Sequence, residues 1–376
     1  MLTATTQEPP SRGRRAVQDR PAEHLDFERA PLTIAWEVTR ATADAPQHWH
    51  VAERATREPE ELDTEEGTRL IDRLAGFRTR PILVLTGGDP LMRHDLLSLA
   101  QHADQRGLRV SLTLRATALV TAERMTAARQ AGVRRAVFSV DAAGAAGHDR
   151  FRGFGGSYRR TLAGMEAARQ AGLPLQVNTT VCGDNVGELE AMVPMLAGWG
   201  VVQWSVFFLV PIGRDRQRTM LSAAEHERVL NWLLDLSAHA PFEIKTTAAC
   251  HYRRIALQRV EWEAARGGVN DRDRPAIGVN DGRGFMFVSW RGDVMPSGLV
   301  PLRAGNVRER DPVDIYRNSR LFRRLRDPKA LRGKCGRCEF REACGGSRAR
   351  AYALSGDHLG SDPSCAYQPA APLRAA

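Results

Sequence analysis

Lysine is almost missing from this chain: of its 54 basic residues only Lys245, Lys329 and Lys334 are lysines. Such an arginine bias, with abundant alanine, has the look of codon composition in a GC-rich genome. The formal net charge of +10 is therefore poor support for a nucleic-acid partner. The arginines spread along amphipathic stretches without an aromatic-interleaved basic stripe, which argues against a nucleic-acid groove. An acidic small molecule or peptide stays compatible with the charge. Long hydrophobic runs are lacking too. None approaches the roughly 18 residues of a membrane helix, and the N-terminus has no apolar secretory segment. The expectation is a cytoplasmic protein with no membrane association. Aromatic residues are few at 6%, yet 43% of the 376 residues are hydrophobic and 26% charged. That composition builds a sizeable core and excludes a mini-protein, a collagen-like chain or a wholly disordered one. Cysteine is scarce and uneven. Cys182 and Cys250 stand alone, while Cys335, Cys338, Cys344 and Cys365 crowd the C-terminal end. A disulfide scaffold would spread its cysteines through a short secreted chain; this pattern reads as one metal site.

Residues 1–28 are rich in Pro, Arg, Glu and Gln and read as a disordered or loosely attached leader. A regular alternation follows. Strands are expected at 32–38, 82–86, 109–114, 135–140, 175–181 and 202–209. Helices are expected at 65–77, 94–106, 121–131, 157–171, 186–199 and 223–237, several closed by a glycine. Six strand-helix units imply an α/β protein with a parallel sheet and right-handed crossovers. The sheet is either barrel-like or doubly wound, with the chemistry at the C-terminal strand ends in both cases. Beyond about residue 240 the pattern changes. A strand at 242–246, a helix at 251–262, a Gly/Asp/Arg-rich loop at 267–284, a hairpin around 290–293 and an amphipathic segment at 313–325 precede the cysteines.

Four thiolates at Cys335-x2-Cys338-x5-Cys344 and Cys365 can close a tetrahedral zinc shell or hold a four-iron cluster. Spacing alone leaves both open and leans towards zinc. Gly87-Gly88-Asp89-Pro90 ends the second strand. Its glycines let backbone approach a ligand closely, and the Asp89 carboxylate could accept from an ammonium group; taken alone it is an ordinary turn. Ser139-Val140-Asp141 ends the fourth strand and precedes Arg150 and Arg152. The serine and aspartate could bind hydroxyls and an arginine a carboxylate, although taken alone they are better explained as a capped loop. Cys182 reads as a small buried hydrophobe. Trp199, Trp204, Trp232 and Trp262 read as packing. Cys250-His251-Tyr252 receives no role.

Together these residues give a resemblance. Over about residues 30–370 the chain resembles the radical S-adenosylmethionine (radical SAM) superfamily. The similarity is greatest to the branch with a C-terminal SPASM or twitch extension, as in heme-biosynthetic members and peptide maturases. Gly87-Gly88-Asp89-Pro90 is similar to the family's GGE motif, which binds the amino group of S-adenosylmethionine. Ser139, Asp141 and Arg152-Gly153 are similar to the segment after strand four that helps hold it. Pro296-Ser297-Gly298, Gly305-Asn306-Val307 and Cys335 to Cys365 resemble the auxiliary-cluster domain. The resemblance implies a partial (β/α)6 TIM-like barrel over 29–240 and a small Cys-rich SPASM/twitch-like domain over 241–376. It turns the metal from zinc to an auxiliary [4Fe-4S] cluster, with zinc as the alternative.

The departure concerns the radical-generating cluster. The family carries Cys-x3-Cys-x2-Cys just after the first strand, and here those positions hold Thr42, Pro46 and Trp49, with the downstream register intact. Threonine is a poor iron ligand, proline has no ligand atom, and tryptophan offers only an N–H donor. The implied function is a protein with one auxiliary cluster and S-adenosylmethionine but no radical-generating cluster. It would act in cofactor, tetrapyrrole or peptide modification, with a small-molecule or peptide substrate or a protein partner. The alternatives are an active enzyme with Asp44, His48 and His50 as replacement ligands, and a zinc-stabilised interaction module.

Overall fold

The computed structural model describes residues 26–42, 56–213, 215, 218–264 and 278–369. Asp44, Pro46, His48, Trp49 and His50 lie outside them, as do residues 1–25 of the expected leader. Strand β1 (Thr33–Thr39) is buried along its whole length. A strand flanked on both sides and covered on both faces has this pattern. Seven parallel strands run in order β1 to β7. The others are β2 (Ile82–Gly87), β3 (Arg109–Thr113), β4 (Val133–Ser139), β5 (Leu175–Val181), β6 (Gln203–Phe208) and β7 (Glu243–Thr247). On the other edge of β1, β8 (Phe285–Val288) pairs in parallel, then β9 (Asp293–Met295) and β10 (Gly305–Asn306) continue antiparallel. The ladder of described strands is open, with β10 and β7 at its edges, so the α/β barrel is partial.

Strands contributed by residues beyond 240 thus lie at both sides of the barrel strands. β7 pairs with β6 and β8 with β1. Residues 26–30 are also part of the fold: Phe27 is buried, and its carbonyl accepts from the Tyr316 hydroxyl at 2.7 Å.

Register partners in a parallel ladder share a face. Trp36, Leu85 and Leu112 share one and Ala35, Val84 and Ser111 the other. The first face is covered by helices. Gly67 of helix α1 (Thr64–Leu74) lies so near Trp36 that a Cβ there would sit 2.8 Å from the indole. The second face is polar. Arg135 donates to Gln176 at 3.1 Å and to Gln203, and Gln176 donates to Asn178 at 2.9 Å. The remaining helices between strands are α2 (Leu96–Gln105), α3 (Ala122–Gln130), α4 (Ala145–Arg152), α5 (Ser157–Gln170), α6 (Leu189–Gly198) and α7 (Ala223–Ser237).

Three expectations need correction. Helix α4 stands where a loop was expected; its sequence AAGHDRFR lacks an apolar period, and it stops at Gly153, whose φ of 76° is left-handed. The segment at 313–325 is two helices, α9 (Pro312–Asn318) and α10 (Arg320–Arg326), because Ser319 ends the first and its hydroxyl caps the second. Trp262 is 59% exposed and is not core packing. Cys182, by contrast, is buried against Phe151 and Leu209, and burial pushes its thiol up to about 11.

Candidate functional site

Two cavities gather the residues singled out above. The larger, about 750 Å³, opens at the C-terminal ends of β2, β3 and β4. Gly87, Gly88, Ser139 and Arg152 all line it, together with Arg115 and Thr117. Asp89, Pro90 and Asp141 stand outside its lining, as support. Asp89 is fully buried; its carboxylate accepts from Thr117 Oγ1 at 2.6 Å and from the Leu91 N–H at 3.1 Å, capping a short 3-10 turn at Pro90–Met92. Burial raises its pKa, and the bond from Thr117 opposes the shift. Asp141 pairs with Arg152 at 2.5 Å and accepts from the Thr180 N–H at 2.8 Å, which fixes the guanidinium in the cavity wall.

Gly87 has a φ of 137°, which glycine tolerates, and both glycines also meet a neighbouring stretch of chain closely. A Cβ on Gly87 would lie 2.2 Å from the Thr39 carbonyl oxygen, and one on Gly88 would lie 2.3 Å from that of Ala41. The close approach is to the chain leaving β1. The Gly88 N–H donates to Thr39 at 2.8 Å and the Asp89 N–H to Ala41 at 2.7 Å. These bonds hold the chain that leads into Thr42, the first of the three positions expected to lack a ligand, which bonds to Arg115 of the cavity wall. Thr42 is buried, and its hydroxyl accepts from the Arg115 guanidinium at 3.1 Å. A threonine bonded to a cation does not supply a thiolate, so the residue present does not fit the radical-generating cluster.

Glu37, one register step from this cavity through its pairing with Thr86, is buried. Burial raises its pKa to about 7, and a bond from the Trp290 backbone opposes the rise. The folded state therefore holds a proton that the unfolded chain releases near 4.5, so Glu37 costs stability as pH rises from about 4.5 to about 7. Urea denaturation across that window should show the wild type losing stability relative to Glu37→Gln. Parallel profiles would refute the assignment.

The second cavity, about 330 Å³, is lined by Cys335, Cys338, Cys344 and Cys365, with His251, Arg254 and Lys334. The chain supplies them from three places: helix α11 (Gly333–Arg337) and the turns after it, the segment after α12 (Arg348–Ser355), and the start of α8 (His251–Ala264). None of the four thiols is in a disulfide. Several donors point at their sulfurs. The Asp362 N–H lies 3.4 Å from Cys335 Sγ, Arg348 Nη2 lies 3.6 Å from the same atom, and the Gly346 N–H lies 3.4 Å from Cys344 Sγ. Burial pushes the Cys338 and Cys344 thiols up. Burial acts the same way on Cys365, but His251 and Lys334 outweigh it and leave that thiol below its ordinary value. Four thiols around one cavity, two of them with N–H donors at their sulfurs, fit an iron-sulfur cluster. Among the described residues no three His, Cys, Asp or Glu side chains lie close enough to share one metal ion.

His251, to which sequence reasoning gave no role, is 1% exposed, with Nε2 3.3 Å from Asp362 Oδ2. Its signal was faint: a polar Cys-His step just beyond a strand end. Cys250 is buried beside it, and burial pushes its thiol up to about 11.

Residues 41–196 match the model of the radical SAM superfamily. The chain is 41% identical over 342 residues to the AdoMet-dependent heme synthase of Methanosarcina barkeri, covering 90% of this chain and 97% of that one. It is 27% identical over 349 residues to the PqqA peptide cyclase of Bradyrhizobium diazoefficiens, covering 90% and 87%. The crystal structure of Streptococcus suis SuiB bound to S-adenosylmethionine shares the fold, with a TM-score of 0.67 at 13% identity over 90% of this chain and 78% of that one. Near-complete coverage at such identity, on a partial barrel with a cysteine-lined cavity beside it, makes this chain a member of the radical SAM superfamily.

Proposed function

We propose that this protein holds one auxiliary [4Fe-4S] cluster at Cys335, Cys338, Cys344 and Cys365 and binds S-adenosylmethionine in the larger cavity, without a radical-generating cluster. The observation that carries the reading is Thr42, buried and hydrogen-bonded to Arg115 where a cluster thiolate would stand. Pro46 and Trp49 add no thiolate at the other two positions. In the cavity, Arg152 offers its guanidinium to a carboxylate, and Ser139 and Thr117 offer hydroxyls. Asp89 holds Thr117 in place, and Asp141 holds Arg152.

At the cysteines, a single tetrahedral zinc would bring sulfurs to about 3.8 Å from one another, given Zn–S bonds of about 2.3 Å. The four thiols ring a cavity of about 330 Å³, more room than one ion needs, which favours the cluster. When bound, the cluster supplies one-electron chemistry; the chain's part is to hold it, shield it and set its potential. The modification served is of a tetrapyrrole, because the heme synthase resemblance is strong over nearly the whole chain. A peptide substrate is the second reading, favoured by the likeness to the peptide cyclase. Among the described residues no helix is long and apolar enough to cross a membrane.

Anaerobic reconstitution followed by metal analysis tests this. About four irons and about four sulfides per chain, with a broad absorption near roughly 400 nm, are expected. About twice that iron would mean that residues 42–50 hold a second cluster, with His48 and His50 as the ligands to test. One zinc and no iron would point to the interaction module.

A further inference from the structure

We propose that His251 is a positioning residue for the auxiliary cluster: its ring donates a hydrogen bond on the sulfur side of the cysteine cavity, and Asp362, clamped by Arg350, keeps it there. The inference rests on the reading of that cavity as a four-iron site. His251 lines the cavity with the four cysteines, yet neither ring nitrogen has an aligned hydrogen-bond partner among the described residues. A buried N–H without an acceptor is costly. Its polar neighbours are Asp362, at the ion-pair distance above, and the Cys365 sulfur.

Asp362 is held from several sides. Arg350 Nη1 lies 3.0 and 3.3 Å from its two carboxylate oxygens, the Ser347 N–H donates at 2.7 Å and the Ser364 N–H at 3.0 Å. Both Arg350 and Asp362 are fully buried. Asp362 therefore directs its own N–H at Cys335 and its carboxylate at the His251 ring that lines the cysteine cavity. The ring of His226 packs edge-on against that of His251, 6.1 Å between centroids. Arg350 extends the arrangement to the barrel. Its guanidinium donates to the carbonyls of Ala248 at 2.7 Å and Leu209 at 3.4 Å, just beyond the C-terminal ends of β7 and β6. The histidine's place is thus tied to the end of the barrel where the larger cavity opens. An N–H donated to a ligand sulfur favours the reduced, more negative cluster and raises its potential.

The test is a redox titration of the reconstituted full chain, followed by electron paramagnetic resonance. His251→Phe keeps a ring and removes the donor; its midpoint potential should fall at unchanged iron and sulfide content. His251→Gln restores an amide donor and should return the potential towards wild type. If the phenylalanine variant does not fold, His251→Leu, which also lacks a donor, replaces it, and the same fall is expected. A donor-less variant with wild-type iron and wild-type potential overturns the inference. A wild type without iron overturns instead the reading of the cavity on which it rests.

Discussion

Incubated with S-adenosylmethionine and a strong reductant, the iron-loaded protein is expected to form no 5′-deoxyadenosine above the buffer background. Radical formation in the family requires an iron held by three thiolates with one position open to S-adenosylmethionine. Here the first of those positions is Thr42, whose hydroxyl stays protonated at neutral pH and already accepts from Arg115. Pro46 has no side-chain donor atom and Trp49 has only an N–H. The rest of the strand-end geometry is kept. Gly88 and Asp89 still bond to the chain leaving β1, and Ser139 and Arg152 still face the cavity. The combined variant Thr42→Cys, Pro46→Cys and Trp49→Cys should therefore raise the iron content from about four to about eight per chain, and 5′-deoxyadenosine should appear. Product from the unaltered chain would sink the proposal and favour replacement ligands among Asp44, His48 and His50.

Arg350→Ala should lower the unfolding free energy by about 3–5 kcal/mol, the cost of stranding one member of a buried ion pair. Arg350 and Asp362 are both fully buried, so among the described residues the carboxylate left behind keeps only an imperfectly aligned His251 and two backbone N–H groups. The carbonyls of Leu209 and Ala248 lose a donor as well. The exposed Arg332–Asp357 pair, 3.3 Å apart, is the control; Arg332→Ala should cost no more than about 1 kcal/mol. Urea midpoints of both variants, at matched iron content, decide the matter. Equal midpoints would mean that the Arg350–Asp362 pair does not hold the cysteine region to the barrel.

Much of the alternation was readable from the chain. Strand β5 and helix α7 fall at the expected residues, because LQVNTTV alternates cleanly and Ser222 with Glu225 forms a capping box. Helix α4 was not readable, since eight residues with a central glycine and no apolar stripe carry no helical period. At the larger cavity, four of the seven residues singled out share the wall. Asp89, Pro90 and Asp141 do not, because their side chains are used locally, as a turn cap, the first residue of that turn and the anchor of Arg152.

By itself the sequence determined the chemistry on offer: four thiols near the C-terminus, none at 42, 46 or 49, and a strand-helix alternation that places its polar ends together. Covalent identity is enough for that, because a ligand atom is present or absent whatever the fold. Only the tertiary structure decided what each polar atom meets. The partners of Thr42, Asp362 and Leu209 are 73, 111 and 141 residues away, at Arg115, His251 and Arg350. No local periodicity encodes such pairs. They follow from the strand order, which brings the ends of β6 and β7 against the cysteine region and buries there an arginine, an aspartate and a histidine that fix one another.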